Sequence, residues 1–295
     1  MKATPSFLRS TTYMLTLLTL STAIAWEGMK ASPLHAAETE IKRGTEEYIA
    51  LADSADNYIR NEDWKHAEET ILTALRREPG NPGNAMLLSN LGVVRTNLKD
   101  YRGAHEALDI AKTMAPKSKS VRINIVRLLL ATGEEKESID ELNEILLLDS
   151  LQEWSLKTRG LLLMSQREYR KGINDIELHQ QHYTPDSDLL EAGGAAYAAI
   201  GDNAKAIEWY DRAISTRQSA QAWFSRSLLK IQENRLGEAD DDVRRAIAIY
   251  PDNGDLYLLR ALLKKMNHLL TESEADRRTA LKKGASPALA SQLLD

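Results

Sequence analysis

From residue 48 onward, apolar positions recur every three or four residues, the spacing that lines one face of an α-helix. The first stretch predicts two amphipathic helices, 48–61 and 64–77, joined by a tight turn. The pattern then repeats. Equivalent windows begin at Tyr48, Ala85, Lys119, Glu153, Ser187, Ala220 and Gly254. The steps are 37, 34, 34, 34, 33 and 34 residues. The long step falls where Pro-Gly-Asn-Pro-Gly-Asn at 79–84 adds turn residues.

Aligned columns carry the repeat. On the second helix one column reads Ala67, Ala104, Ser138, Gly172, Ala206, Ala239 and Ser273, all small. On the first helix another reads Ala55, Gly92, Val126, Gly160, Gly194, Ser227 and Ala261. Two helices approach closely only where side chains are small, so these columns mark the crossings. Four residues after the second-helix column come the fillers Ile71, Leu108, Leu142, Ile176, Tyr210 and Val243. Pro79, Pro116 and Pro251 end their repeats, since proline stops a helix. Ser286-Pro287 reads as the start of a last helix, in which Leu289 and Leu293 would cover the final repeat.

With Leu91-Gly92, Tyr101, Ala104, Leu108, Ala111 and Pro116 in one window, the chain resembles the tetratricopeptide repeat family over about 48–287. Ala195-Ala-Tyr197 with Ala206 and Tyr210 is a second good instance. The windows at Lys119 and Glu153 depart from the pattern at Ile145, Ser150 and His179, and the last window has Arg277 in the filler column. The resemblance implies an all-α, right-handed α-solenoid of about seven helix-turn-helix repeats with a short C-terminal cap, 286–295. It also implies protein or peptide ligands along a concave face lined by the first helices. Positions matching that face are Met86, Ser89, Asn90 and Val93; Ile123, Asn124 and Arg127; Trp154, Lys157 and Leu161; and, further on, Glu191 and Phe224. In several members of the family an asparagine matching Asn90 and Asn124 hydrogen-bonds a peptide backbone, though asparagine is also an ordinary surface choice there. Trp154 would anchor a ligand or pack between repeats. The terminal-carboxylate clamp of the chaperone-type members is not carried, because Ala52 and Asp56 stand where it needs lysine and asparagine.

Residues 1–25 differ from the rest. Lys2 and Arg9 precede an uncharged stretch with an apolar core, and Ala23-Ile-Ala25 offers small residues for cleavage. This is the pattern of a secretory signal peptide, with an alternative cut near residue 37 and an uncleaved anchor as the other reading. A polar leader, 26–47, follows. The chain has no cysteine, so disulfides, thiolate metal sites, a thiol nucleophile and a lipidated cysteine are excluded. Export without disulfides suits a bacterial periplasm. Among 295 residues, 38 are basic and 43 acidic, a formal net charge of −5. Loss of the leading segment removes two of the basic ones. An acidic chain is a poor general nucleic-acid binder, and after signal removal no membrane insertion is expected.

Candidate chemistry is sparse. His179 and His182 form the one histidine pair at ligand-like spacing and read as ordinary polar residues, with a metal as the lesser alternative. The acidic run 238–242 reads as a solvated helix face rather than a calcium loop. Gly193-Gly194 sits inside a helix, with no phosphate-loop lysine after it. The repeats fill nearly the whole chain. The expectation is therefore a non-enzymatic interaction scaffold in the bacterial envelope, without cofactor or metal. The alternative is a self-associating structural component of an envelope complex.

Overall fold

The computed structural model describes residues 44–184 and 186–295. The signal segment 1–25 and the leader to residue 43 lie outside the described residues. Fifteen helices and no strand are present among them. They are α1 (Glu46–Arg60), α2 (Trp64–Arg77), α3 (Asn84–Asn97), α4 (Tyr101–Met114), α5 (Lys119–Thr132), α6 (Glu135–Leu148), α7 (Glu153–Ser165) and α8 (Tyr169–His182). Then come α9 (Ser187–Ala199), α10 (Asn203–Thr216), α11 (Ala220–Gln232), α12 (Leu236–Ile249), α13 (Gly254–Met266), α14 (Leu270–Lys282) and α15 (Pro287–Leu294). None is long and apolar enough to cross a membrane. Contacts divide the chain into two compact units, 44–162 and 163–295 among the described residues, and the division falls within α7.

Within each unit a first helix packs on the second helix of its own repeat, and second helices pack on the next repeat. The columns explain why. Every member of both small columns is buried, and so are the six apolar fillers. The first-helix column faces the filler of its own repeat. A Cβ on Gly92 would overlap the Leu108 side chain, and one on Gly194 would sit 3.1 Å from the Tyr210 ring. Gly193 is built to the same end, since its missing side chain leaves room for the Trp209 ring.

The turn between the helices of a repeat has its own signature. Glu62, Lys99, Gly133, Arg167, Gly201, Asn234 and His268 hold matching positions, and all have positive φ, from 57° to 84°. The next residue starts the second helix. Asp63, Asp100 and Asp202 accept from a backbone N–H one turn on, whereas Glu134, Glu168, Arg235 and Leu269 supply no such cap.

The ends differ from the middle. Helix α1 starts at Glu46, two residues before Tyr48, so the polar leader is shorter than its composition suggested. Thr45 caps it, and Glu78 accepts from the Thr45 N–H at 2.8 Å and from its hydroxyl at 2.6 Å. These bonds hold the Glu78 carboxyl below the usual range. Asn84 closes the long 79–84 turn by donating to Glu78 O at 2.7 Å while accepting from the Tyr48 hydroxyl at 3.0 Å. Burial, with the nearby Glu78 charge adding, pushes that phenol up to about 12. At the other end, Ser286 caps α15, and Leu289, Ala290, Leu293 and Leu294 are buried where α15 packs on α13 and α14. Arg277 leaves the filler role and donates to Asp295 at 2.9 Å.

Candidate functional site

All the candidate contact residues except Glu191 and Phe224 lie on first helices of the N-terminal unit. Met86, Asn90 and Val93 are on α3, Ile123, Asn124 and Arg127 on α5, and Trp154, Lys157 and Leu161 on α7. A continuous path joins the three helices. Asn124 Nδ2 donates to Ser89 Oγ on α3 at 2.9 Å. Arg127 NH1 donates to Asn124 Oδ1 at 3.3 Å. The Arg127 guanidinium lies 5.7 Å from the Trp154 ring centroid, within cation–π range. Trp154 also packs on the cluster of Ile123, Val126, Leu142, Ile145 and Leu162.

Exposure sorts these residues. Met86, Ile123 and Leu161 are buried floor. Asn124 is only 5% exposed and is bonded at both ends of its amide, so it ties α3 to α5. Asn90, the matching residue one repeat earlier, is partly exposed and has no side-chain hydrogen bond among the described residues. Val93, Arg127, Trp154 and Lys157 are partly exposed as well. Trp154 packs between helices, as one of the two sequence readings has it, and part of its ring still reaches solvent. Phe224 belongs to the C-terminal unit, on α11, and is buried at 4% exposure. Glu191, on α9 of that unit, accepts from Ser219 Oγ at 2.7 Å, and burial raises its carboxyl above the usual range.

Arg127 is electrostatically unusual. Arg60, Arg95, Arg122, Arg226 and Arg260, also on first helices, each have a carboxylate within 4 Å. Arg127 has none among the described residues. Its Nε is closed off from solvent without an acceptor, and burial lowers the proton affinity of the guanidinium.

The acidic run 238–242 corrects its sequence reading. Asp240 and Asp241 pair with Arg244 on the surface, but Asp242 is buried. It accepts from Arg226 Nε at 2.9 Å and NH2 at 2.8 Å, and from Lys230 Nζ at 2.8 Å. One repeat later Asp276 accepts from Arg260 at 2.8 and 2.7 Å and pairs with Lys264 at 2.8 Å. In the repeat before, Gly193 and Trp209 occupy the Arg and Asp positions. The signal was visible in sequence as two Arg–Lys–Asp triplets 34 residues apart. His179 is buried beside the Tyr183 ring, 5.1 Å between centroids, while His182 is exposed. Among the described residues no three His, Asp or Glu side chains gather as a metal site.

The geometry defines a stack of helix-turn-helix repeats in each unit. Tetratricopeptide repeat models match residues 53–119 and 220–253. The chain is similar in fold to a tetratricopeptide repeat protein from Parabacteroides merdae ATCC 43184, at 20% identity and TM-score 0.57, covering 85% of this chain and 98% of that one. It is also similar to the C-terminal part of a TPR repeat-containing protein from Cytophaga hutchinsonii, at 15% identity and TM-score 0.68, covering 82% and 99%. A third similar structure is YrrB, described as a TPR protein with an unusual peptide-binding site, at 17% identity, TM-score 0.54 and coverage of 62% and 95%. None of the curated proteins matches the chain. These likenesses establish the fold: an all-α solenoid that carries tetratricopeptide repeats.

Proposed function

We propose that the protein is a non-enzymatic interaction scaffold, exported to the bacterial envelope, that holds an extended segment of a partner protein on the first-helix face of its N-terminal unit. The observation that carries this reading is the row of partly exposed Asn90, Val93, Arg127, Trp154 and Lys157 above a buried apolar floor. An amide donates to a peptide C=O and accepts from its N–H, so Asn90 suits a strand of backbone. Partly exposed Trp154 offers apolar area at low entropic cost, since packing already fixes its position. The peptide-binding site named for YrrB lends the reading support by likeness of fold. Export rests on the pattern of residues 1–25.

The test is a pull-down from envelope extract with the exported chain and with an Asn90→Ala, Trp154→Ala variant of unchanged circular dichroism. The variant is expected to lose the captured partner. An unchanged set of captured proteins contradicts the assignment of this face. Intact mass of the exported chain is expected to show loss of the leading 25 to 37 residues. Retention of the whole segment contradicts soluble export.

A further inference from the structure

The first-helix face of the N-terminal unit contains a cation that has no counter-ion among the described residues. Removing a charge from water is costly unless an opposite charge or several hydrogen bonds replace the lost hydration. The chain follows that rule elsewhere: Arg226 and Arg260 each make two bonds to a buried aspartate. Arg127 departs from it. Among the described residues its one hydrogen bond is to the neutral amide of Asn124, at 3.3 Å. Its Nε is enclosed and unbonded. Its Cζ lies over the Trp154 ring, 5.7 Å from the centroid. Part of the side chain still reaches solvent, while its enclosed part exchanges hydration for one neutral hydrogen bond and the Trp154 ring.

We propose that Arg127 is the specificity residue of this face, and that it seats the side-chain carboxylate of an aspartate or glutamate within an extended partner segment. The inference rests on the groove reading above and names the chemistry it would select. A guanidinium presents a planar fork of N–H donors that matches a carboxylate. Asn124 fixes the fork through NH1, and Asn124 is itself fixed by Ser89 at 2.9 Å. The nearby Trp154 ring lowers the local polarity, which strengthens an ion pair relative to water. Asn90 stands on the neighbouring helix, at the matching position one repeat before Asn124.

The probes are three pools of capped decapeptides, random except at the centre. One is fixed as Asp/Glu and the second as Asn/Gln. The third has Asn/Gln at the centre and a free C-terminal carboxylate. Each is selected on the full-length exported chain and on Arg127→Met and Arg127→Lys. The wild type is expected to retain the Asp/Glu pool at least tenfold over the Asn/Gln pool. Arg127→Met is expected to bring that ratio near one, with Arg127→Lys between. Thermal melting of Arg127→Met alone is expected to be unchanged or to rise, because a partly buried charge without a carboxylate partner is removed. Retention of peptides with the same Asp/Glu preference in Arg127→Met overturns the inference and leaves the groove reading standing. So does a preference confined to the free C-terminus, or a marked fall in melting temperature for Arg127→Met. Retention of no pool by the wild type counts against the groove itself.

Discussion

Seven matching turn residues hold a left-handed backbone, and only Gly133 and Gly201 among them are free of the Cβ penalty. Each of the other five pays about 1 kcal/mol for the conformation, with asparagine paying least. The periodicity of apolar residues does not report this, because the turn column is polar and exposed. Gly133, Gly201 and Asn234, at matching positions of their repeats, were its only trace. Lys99→Gly is therefore expected to stabilise the protein by about 1 kcal/mol, and Gly133→Ala to destabilise it by a similar amount. Urea unfolding followed by circular dichroism checks both. Equal midpoints for Lys99→Gly and the wild type would contradict the account of the turn. Asn124 teaches the same lesson in reverse: its residue type fitted a ligand contact, but its bond to Ser89 shows it tying repeats together.

At the scale of helices, the small and filler columns were legible because they answer to one need, close approach of two backbones. The Arg–Lys–Asp network was not. Charged residues on a helix ordinarily read as solvated, and burial of Asp242 and Asp276 depends on partners 12 and 16 residues away. Burial alone would raise the Asp276 carboxyl. The bonds from Arg260 and Lys264 outweigh it and hold the group below the usual carboxylate range. A depressed carboxyl stabilises the fold above its unfolded pKa, and that contribution is lost as pH falls through the folded pKa. Asp276→Asn leaves partly buried Arg260 without its carboxylate and Lys264 with only Glu272, 3.6 Å away, at a cost of about 3 kcal/mol. Its deficit in melting temperature is expected to be full at pH 7 and to shrink below about pH 4, as the wild type loses the same charge. A deficit independent of pH would show that packing, not the ion pair, carries the effect.

For the whole molecule, stability in a repeat chain is close to a sum over repeats and their interfaces. The buried leucines of α15 finish the last repeat, and Thr45 with Glu78 finishes the first helix. The sequence already showed the repeat, the final helix and the face that carries the candidate residues. It could not show which of those residues are consumed by the fold, since that depends on contacts between neighbouring repeats. What remains above the floor is a row of partly exposed side chains with an uncompensated arginine at its centre. The central claim is that a partner segment lies there. The direct test is photo-crosslinking in the living cell from a reactive amino acid placed at Val93, on this face, and separately at Ile110, an exposed residue of the second helix α4. The account predicts a discrete adduct from Val93 and none from Ile110. An adduct from Ile110 with none from Val93 would contradict it.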